Sequence, residues 1–102
     1  MPFHPSVYPL CSAISNELRD LRRQLERLAE RLCLDENFVI HHVSSLQLFD
    51  ALTQHVEESA CLLDRLSDGM QSAEALSLVR LGALQERLRS ALEENADDVR
   101  LP

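Results

Sequence analysis

An aspartate and a glutamine four residues apart, Asp50 and Gln54, stand inside the apolar run Leu46-Gln47-Leu48-Phe49-Asp50-Ala51-Leu52-Thr53-Gln54. In a helix, positions i and i+4 project from one face a turn apart. A carboxylate and a carboxamide held in this way can grip a partner's cation and a water molecule side by side. The carboxylate acts by charge, and the amide donates and accepts hydrogen bonds without titrating. Taking about 100° per residue from Asp50, Gln54 falls at about 40°, Glu57 at about −20°, Gln47 at about 60° and Cys61 at about 20°. Phe49, Leu52, Val56, Leu63, Leu66 and Leu48 fall on the other side, from about −100° through 180° to about 160°. The pattern predicts a polar strip turned to solvent, centred on Asp50 and Gln54, with Gln47, Glu57 and Glu58 as flanking partner contacts. An ordinary solvated helix face has the same pattern.

Few other chemistries are open to this chain. All ten of its cationic residues are arginine, which removes lysine nucleophiles, Schiff bases and a phosphate-loop lysine. The net charge of −7 argues against a nucleic-acid binder. His4, His41, His42 and His55 do not combine with Cys11, Cys33 and Cys61 into a zinc spacing, so no metal site is expected. Three cysteines, widely spaced and without a CxxC, read as reduced thiols, with Cys33 and Cys61 as small packing residues. No secretory leader and no apolar run of membrane-spanning length is visible, so a soluble, cytoplasmic protein is expected.

The elements that must position the pair read as helices. Two glycines, no tryptophan and abundant Leu, Ala, Glu and Arg point to an all-α chain. Pro2, Pro5 and Pro9 predict an extended N-terminal arm over residues 1–11. Residues 12–95 then form the helical domain, and residues 96–102 a loose acidic tail. Ile14, Leu18, Leu21, Leu25, Leu28 and Leu32 alternate spacings of four and three, a coiled-coil-like core stripe on a helix from about Ser12 to Cys33. Asp35 caps a second helix that runs unbroken from about Glu36 to Leu66, where Asp68-Gly69 stops it. A third helix from about Ser72 to Glu94 carries Leu78, Leu81, Leu84, Leu88 and Leu92 on its apolar face, with Ala75 and Ala91 permitting close approach. Short connections make antiparallel neighbours, so the expected architecture is a helical hairpin or three-helix bundle with one long central helix. The excess length of that helix would expose apolar side chains in a monomer, and a homodimer with a four-helix core would cover them.

The Asp50-x-x-x-Gln54 pair resembles the Asp-x-x-x-Gln motif of CheZ-type proteins, which dephosphorylate chemotaxis response regulators. Phe49 before the aspartate and Leu52-Thr53 between the polar residues extend the likeness, which covers about ten residues and the all-helical setting. The resemblance implies a phosphatase of a CheY-like receiver domain, with Gln54 orienting the attacking water and Asp50 pairing with the receiver's lysine. Mg²⁺ would belong to the receiver, and the chain would need no cofactor of its own. CheZ-type proteins are also helical-hairpin dimers. This chain is shorter than a full CheZ and lacks an evident linker ending in a receiver-binding helix. Affinity would therefore fall to the helix faces or the N-terminal arm.

Two other functions fit an acidic helical chain. A histidine phosphotransfer domain would use His41 or His42, but neither is followed by the Lys-Gly such domains resemble; a structural role suits both better. A non-catalytic helical adaptor or secretion chaperone needs only acidic charge and heptads, and it is the reading that holds if Asp50 and Gln54 are coincidental.

Overall fold

The computed structural model describes residues 4–100, with side chains to Glu94. The chain is all-α. Among the described residues there are five helices: α1 Val7–Cys33, α2 Glu36–His41, α3 Val43–Ser67, α4 Ser72–Ser77 and α5 Gly82–Arg100. The central element is α3, which packs along α1 on one side and against α4 on another.

Helix α1 begins five residues earlier than the prolines suggested. Pro9 is its third residue, where the missing N–H is one of the four that no helix satisfies internally. Of the expected extended arm, residues from Val7 onward are helical, Pro5 and Ser6 form a turn, and residues 1–3 lie outside the described part. At the other end α5 continues to Arg100, through most of the expected loose tail.

The long second helix is broken. Asp35 does cap its start, accepting hydrogen bonds from the backbone N–H of Asn37 and Phe38 at 3.0 and 3.2 Å. After six residues the chain leaves helical geometry at His42 (φ −132°, ψ 35°) and restarts as α3. Every residue from Asn37 to Ser45 belongs to the weaker helix formers, so little propensity opposes the break. The ring of His42 stacks on Phe38 at 4.6 Å, and the His42 backbone N–H donates to the Phe38 carbonyl at 2.8 Å. With this division α3 has 25 residues against 27 in α1, so the central helix is not the longest.

The stop after α3 follows the expectation. Gly69 adopts φ +90° and donates to the Leu66 carbonyl, while Met70 donates to that of Arg65, both at 3.0 Å. This pair of bonds is a Schellman motif, and glycine suits it because a Cβ is disfavoured at that φ.

The third predicted helix is also divided, between Ser77 and Gly82. Side chains satisfy the backbone groups that the break frees. The Gln85 amide donates to the carbonyls of Leu76, Ser77 and Val79 at 3.1–3.4 Å. The Arg65 guanidinium donates to those of Ala75 and Leu78, and the Glu58 carboxylate accepts from the Arg80 N–H at 2.6 Å. The turn folds α5 back so that Leu76, Val79 and Leu84 form a buried cluster, with Leu62, Leu81 and Leu88 packed against it. Leu78, expected in the core, is half exposed, because the break takes it off the register of Leu84 and Leu88.

The α1–α3 contact departs furthest from the heptad reading. The residue of α1 with no exposed surface is Ser15, whereas Ile14, Leu21 and Leu28 are 41 %, 50 % and 46 % exposed. Leu18, Leu25 and Leu32 are half-buried. Facing α3 is a polar row of Ser15, Arg19 and Arg22, which meets Asp64 and Glu57 in antiparallel order.

Candidate functional site

The polar seam between α1 and α3 decides which side chains of α3 remain free. Arg19 holds Asp64 at 2.7 Å and lies 3.6 Å from Glu57. Ser15 donates to Asp64 at 2.5 Å and accepts from Arg19 at 2.9 Å. Arg22 donates to Glu57 at 2.8 Å. The hydrogen bond from Arg19, more than any other neighbour, holds the Asp64 carboxyl below its ordinary value, and burial opposes it. The same hydrogen bond is the main reason the Arg19 guanidinium is pushed further up.

Two of the expected partner contacts are therefore engaged within the chain. Glu57 pairs with Arg19 and Arg22. Glu58 is buried and accepts the Arg80 N–H. Neither carboxylate is free as an outward strip requires: Glu57, half-buried, turns toward the cations of α1, and Glu58 toward the α4–α5 turn. Cys61, placed on the same outward strip, also lies in the seam, 3.8 Å from Arg19 and 3.6 Å from Glu57. Cys33, expected to pack, is exposed at the end of α1.

The first half of α3 is different. Gln47, Asp50 and Gln54 are all exposed, spaced three and four apart along the helix. Neither the Asp50 carboxylate nor the Gln54 amide is engaged with another described side chain. Thr53, between them, donates to the Asp50 backbone carbonyl at 2.9 Å and leaves the carboxylate free. Gln54 also lines a shallow groove of about 290 Å³, with Ala51 and His55 on α3 and Leu81 to Leu84 and Arg87 on the other side. Nothing in the sequence places Gly82, Ala83 and Arg87 of α5 beside Gln54. Their approach depends on the Ser77–Gly82 turn, which has no proline and only Gly82 to mark it.

The histidines lie apart from this site, except His55. His41 bonds the Asn37 carbonyl at 2.8 Å and His42 stacks on Phe38, both at the α2–α3 break. Among the described residues no group of three or more His, Cys, Asp or Glu side chains is placed to hold a metal ion.

A family model for a domain of unknown function, DUF8776, matches residues 3–101. The chain belongs to the DUF8776 family. The match spans nearly all of the sequence, so the helical hairpin, the α4–α5 turn and the exposed Asp50–Gln54 pair all lie within the DUF8776 domain. No curated protein and no solved structure matches it. Among the described residues of this DUF8776 domain no helix is long and apolar enough to cross a membrane.

Proposed function

We propose that this domain is a phosphatase, or phosphatase-like regulator, of a CheY-type receiver domain. The observation that carries the reading is the exposure of Asp50 and Gln54, both uncommitted, on a helix whose other carboxylates near the seam and the turn are held internally. The likeness to CheZ-type proteins rests on this motif and its helical setting. The matched family carries no assigned activity.

An aspartyl phosphate is an activated acyl phosphate, so a protein acting on it needs to supply position more than covalent chemistry. Water attacks phosphorus in line, and the bond from phosphorus to the carboxylate oxygen breaks. The receiver's aspartate and inorganic phosphate are released, and one proton passes to solvent. Gln54 orients the water by donating and accepting at once, as glutamine does in GTPases. Asp50, a turn away, pairs with the lysine that receivers carry beside the phosphorylated aspartate. Gln47, on the same exposed row, extends the contact, and the groove between Gln54 and Arg87 offers a place for a receiver loop. The receiver carries the Mg²⁺, and the reaction belongs in the cytoplasm with its substrate.

The test is phosphate release from an excess of a phosphorylated receiver encoded near this gene. The wild-type chain is expected to accelerate release, and Gln54→Ala to lose the acceleration while keeping its helicity. A Gln54→Ala protein as active as wild type would favour the adaptor reading. Receiver binding without phosphate release would do the same. Phosphate appearing on His41 or His42 would point instead to phosphotransfer.

A further inference from the structure

One edge of the apolar stripe of α1, beside the half-buried Leu18, Leu25 and Leu32, stays exposed. Counted from Leu10 at about 100° per residue, Ile14 lies at about 40°, Leu21 at about 20° and Leu28 at about 0°. Ser15, Arg19 and Arg22, which face α3, lie between about 120° and 180°. Leu10, Ile14, Leu21 and Leu28 are between 41 % and 58 % exposed, a row that extends along most of a 27-residue helix. The hydrophobic residues buried elsewhere are Ala60, Ala75, Leu76, Val79 and Leu84, a small core for a chain of this size.

The area points the same way. A compact monomer of 11.6 kDa exposes about 5,800 Å². This chain exposes 7568 Å², an excess of about 1,700 Å². An obligate homodimer covers about 1,000–2,500 Å² on each subunit.

Charge along the edge of the stripe identifies the occupant. Glu17, Asp20, Gln24, Arg27 and Arg31 border it, at about −20° to −100° on the same count. The acidic residues are all in the first half of this border and the basic ones in the second. Glu17, Arg27 and Arg31 have no ion pair among the described residues, and Asp20 is held by Arg23 at 3.5 Å and by Gln24 at 3.0 Å. A border of this kind is complementary to itself when reversed. A two-fold axis through Gln24 sets Glu17 opposite Arg31 of a second copy, and brings Asp20 and Leu21 within about one residue's rise of Arg27 and Leu28. Parallel two-fold pairing would place the two borders on opposite sides of the seam, where they do not meet.

We propose that a second copy of this chain covers the α1 stripe, with the two α1 helices antiparallel about a two-fold axis near Gln24. The interface is isologous, so each contact occurs twice. Asp50 and Gln54 belong to α3 and to the chemistry proposed above; the dimer stands or falls without it.

Light scattering and sedimentation at tens of micromolar test this on the whole chain. The wild type is expected at twice 11.6 kDa. Arg27→Glu/Arg31→Glu and, separately, Glu17→Arg/Asp20→Arg are expected to run as single chains with unchanged helicity, since all four side chains are exposed. An equimolar mixture of the two double variants is expected to recover the dimer mass, and so is the chain carrying all four substitutions. A monomeric wild type would overturn the proposal. So would a dimer that either double variant leaves intact, or one that the mixture and the fourfold variant fail to restore. Because the charged positions are at the surface, loss of the dimer is separable from loss of the fold.

Discussion

Gln54 and Asp50 are neighbours on one exposed turn, yet their proposed work differs in timing. Gln54 acts on water in the transition state, so Gln54→Ala should lower kcat by about two orders of magnitude or more. Receiver affinity should be nearly unchanged, and stability should move by less than about 0.5 kcal/mol because alanine is the better helix former. Asp50 pairs with the receiver before and during the reaction, so Asp50→Ala should weaken binding and rate together. Single-turnover phosphate release, with receiver binding measured separately, distinguishes the two; identical effects from both variants would contradict this division. Asp64 supplies a prediction about pH. Its carboxyl is held below the ordinary 3.8, chiefly by the hydrogen bond from Arg19. A depressed carboxylate contributes its stabilisation in full above the unfolded value and loses it as pH falls through the lower folded value. The contribution is therefore flat at neutral pH and disappears only below about pH 4. The side chain is 42 % exposed, so the amount is small, under about 1 kcal/mol. Asp64→Asn should shrink the loss of stability between pH 4 and pH 2, measured by urea unfolding. An unchanged acid limb would show that the seam does not hold this carboxylate. The motif itself was readable in the sequence. That Glu57 and Glu58 were unavailable was not, because their partners Arg19, Arg22 and Arg80 are distant in the chain.

At the scale of elements, the break between α4 and α5 depends on Gln85. Its amide serves three carbonyls that a continuous helix would have bonded internally. Gln85→Ala should cost about 1–2 kcal/mol in urea unfolding. Gln85→Glu should cost more, since a carboxylate cannot donate and would face the same oxygens. Equal stability of all three proteins would mean that packing of Leu76, Val79 and Leu84 alone sets the turn. The motif at Gly69 is a local counterpart. No atom stands within 4 Å of a Cβ built there, so Gly69→Ala meets only the backbone cost of φ +90°. That cost is about 1 kcal/mol. Asp35 and Gly69 marked helix ends in the sequence because capping is local. The breaks at His42 and at Ser77–Gly82 had no comparable marker. The first draws on weak propensity and the Phe38 stack, and the second on side chains that arrive from α3 and α5.

For the molecule as a whole, folding and association are expected to be linked. A protein with a small core and a row of exposed leucines gains stability from a second copy by mass action. The melting temperature should therefore rise with concentration between about 1 and 100 μM, a tenfold change in chain contributing on the order of 1.4 kcal/mol to the coupled equilibrium. Leu84→Ala should lower it at every concentration by creating a cavity in the buried cluster, at about 2–4 kcal/mol. Leu21→Asp should instead remove the concentration dependence, since that side chain lies on the exposed stripe. Calorimetry across the concentration series checks both, and a melting temperature independent of concentration in the wild type would count against the linkage.

The composition and the spacing of apolar residues by themselves determined that the chain is helical, where α1 ends, that Asp35 and Gly69 bound the middle segment, and that Asp50 and Gln54 share one face. Each of these follows from interactions within a few residues: propensity, capping and the 3.6-residue period. Only the tertiary structure decided which faces meet. A helical wheel shows that α1 has a leucine stripe and a Ser15–Arg19–Arg22 row, and that α3 has a carboxylate strip. It does not say whether the leucines or the arginines turn inward. The structure turns the polar rows toward each other because Arg19 and Arg22 satisfy Asp64 and Glu57 there. That choice leaves Ile14, Leu21 and Leu28 exposed and engages the carboxylates of the second half of α3 in ion pairs. Asp50 and Gln54 remain free because no cation of α1 engages them.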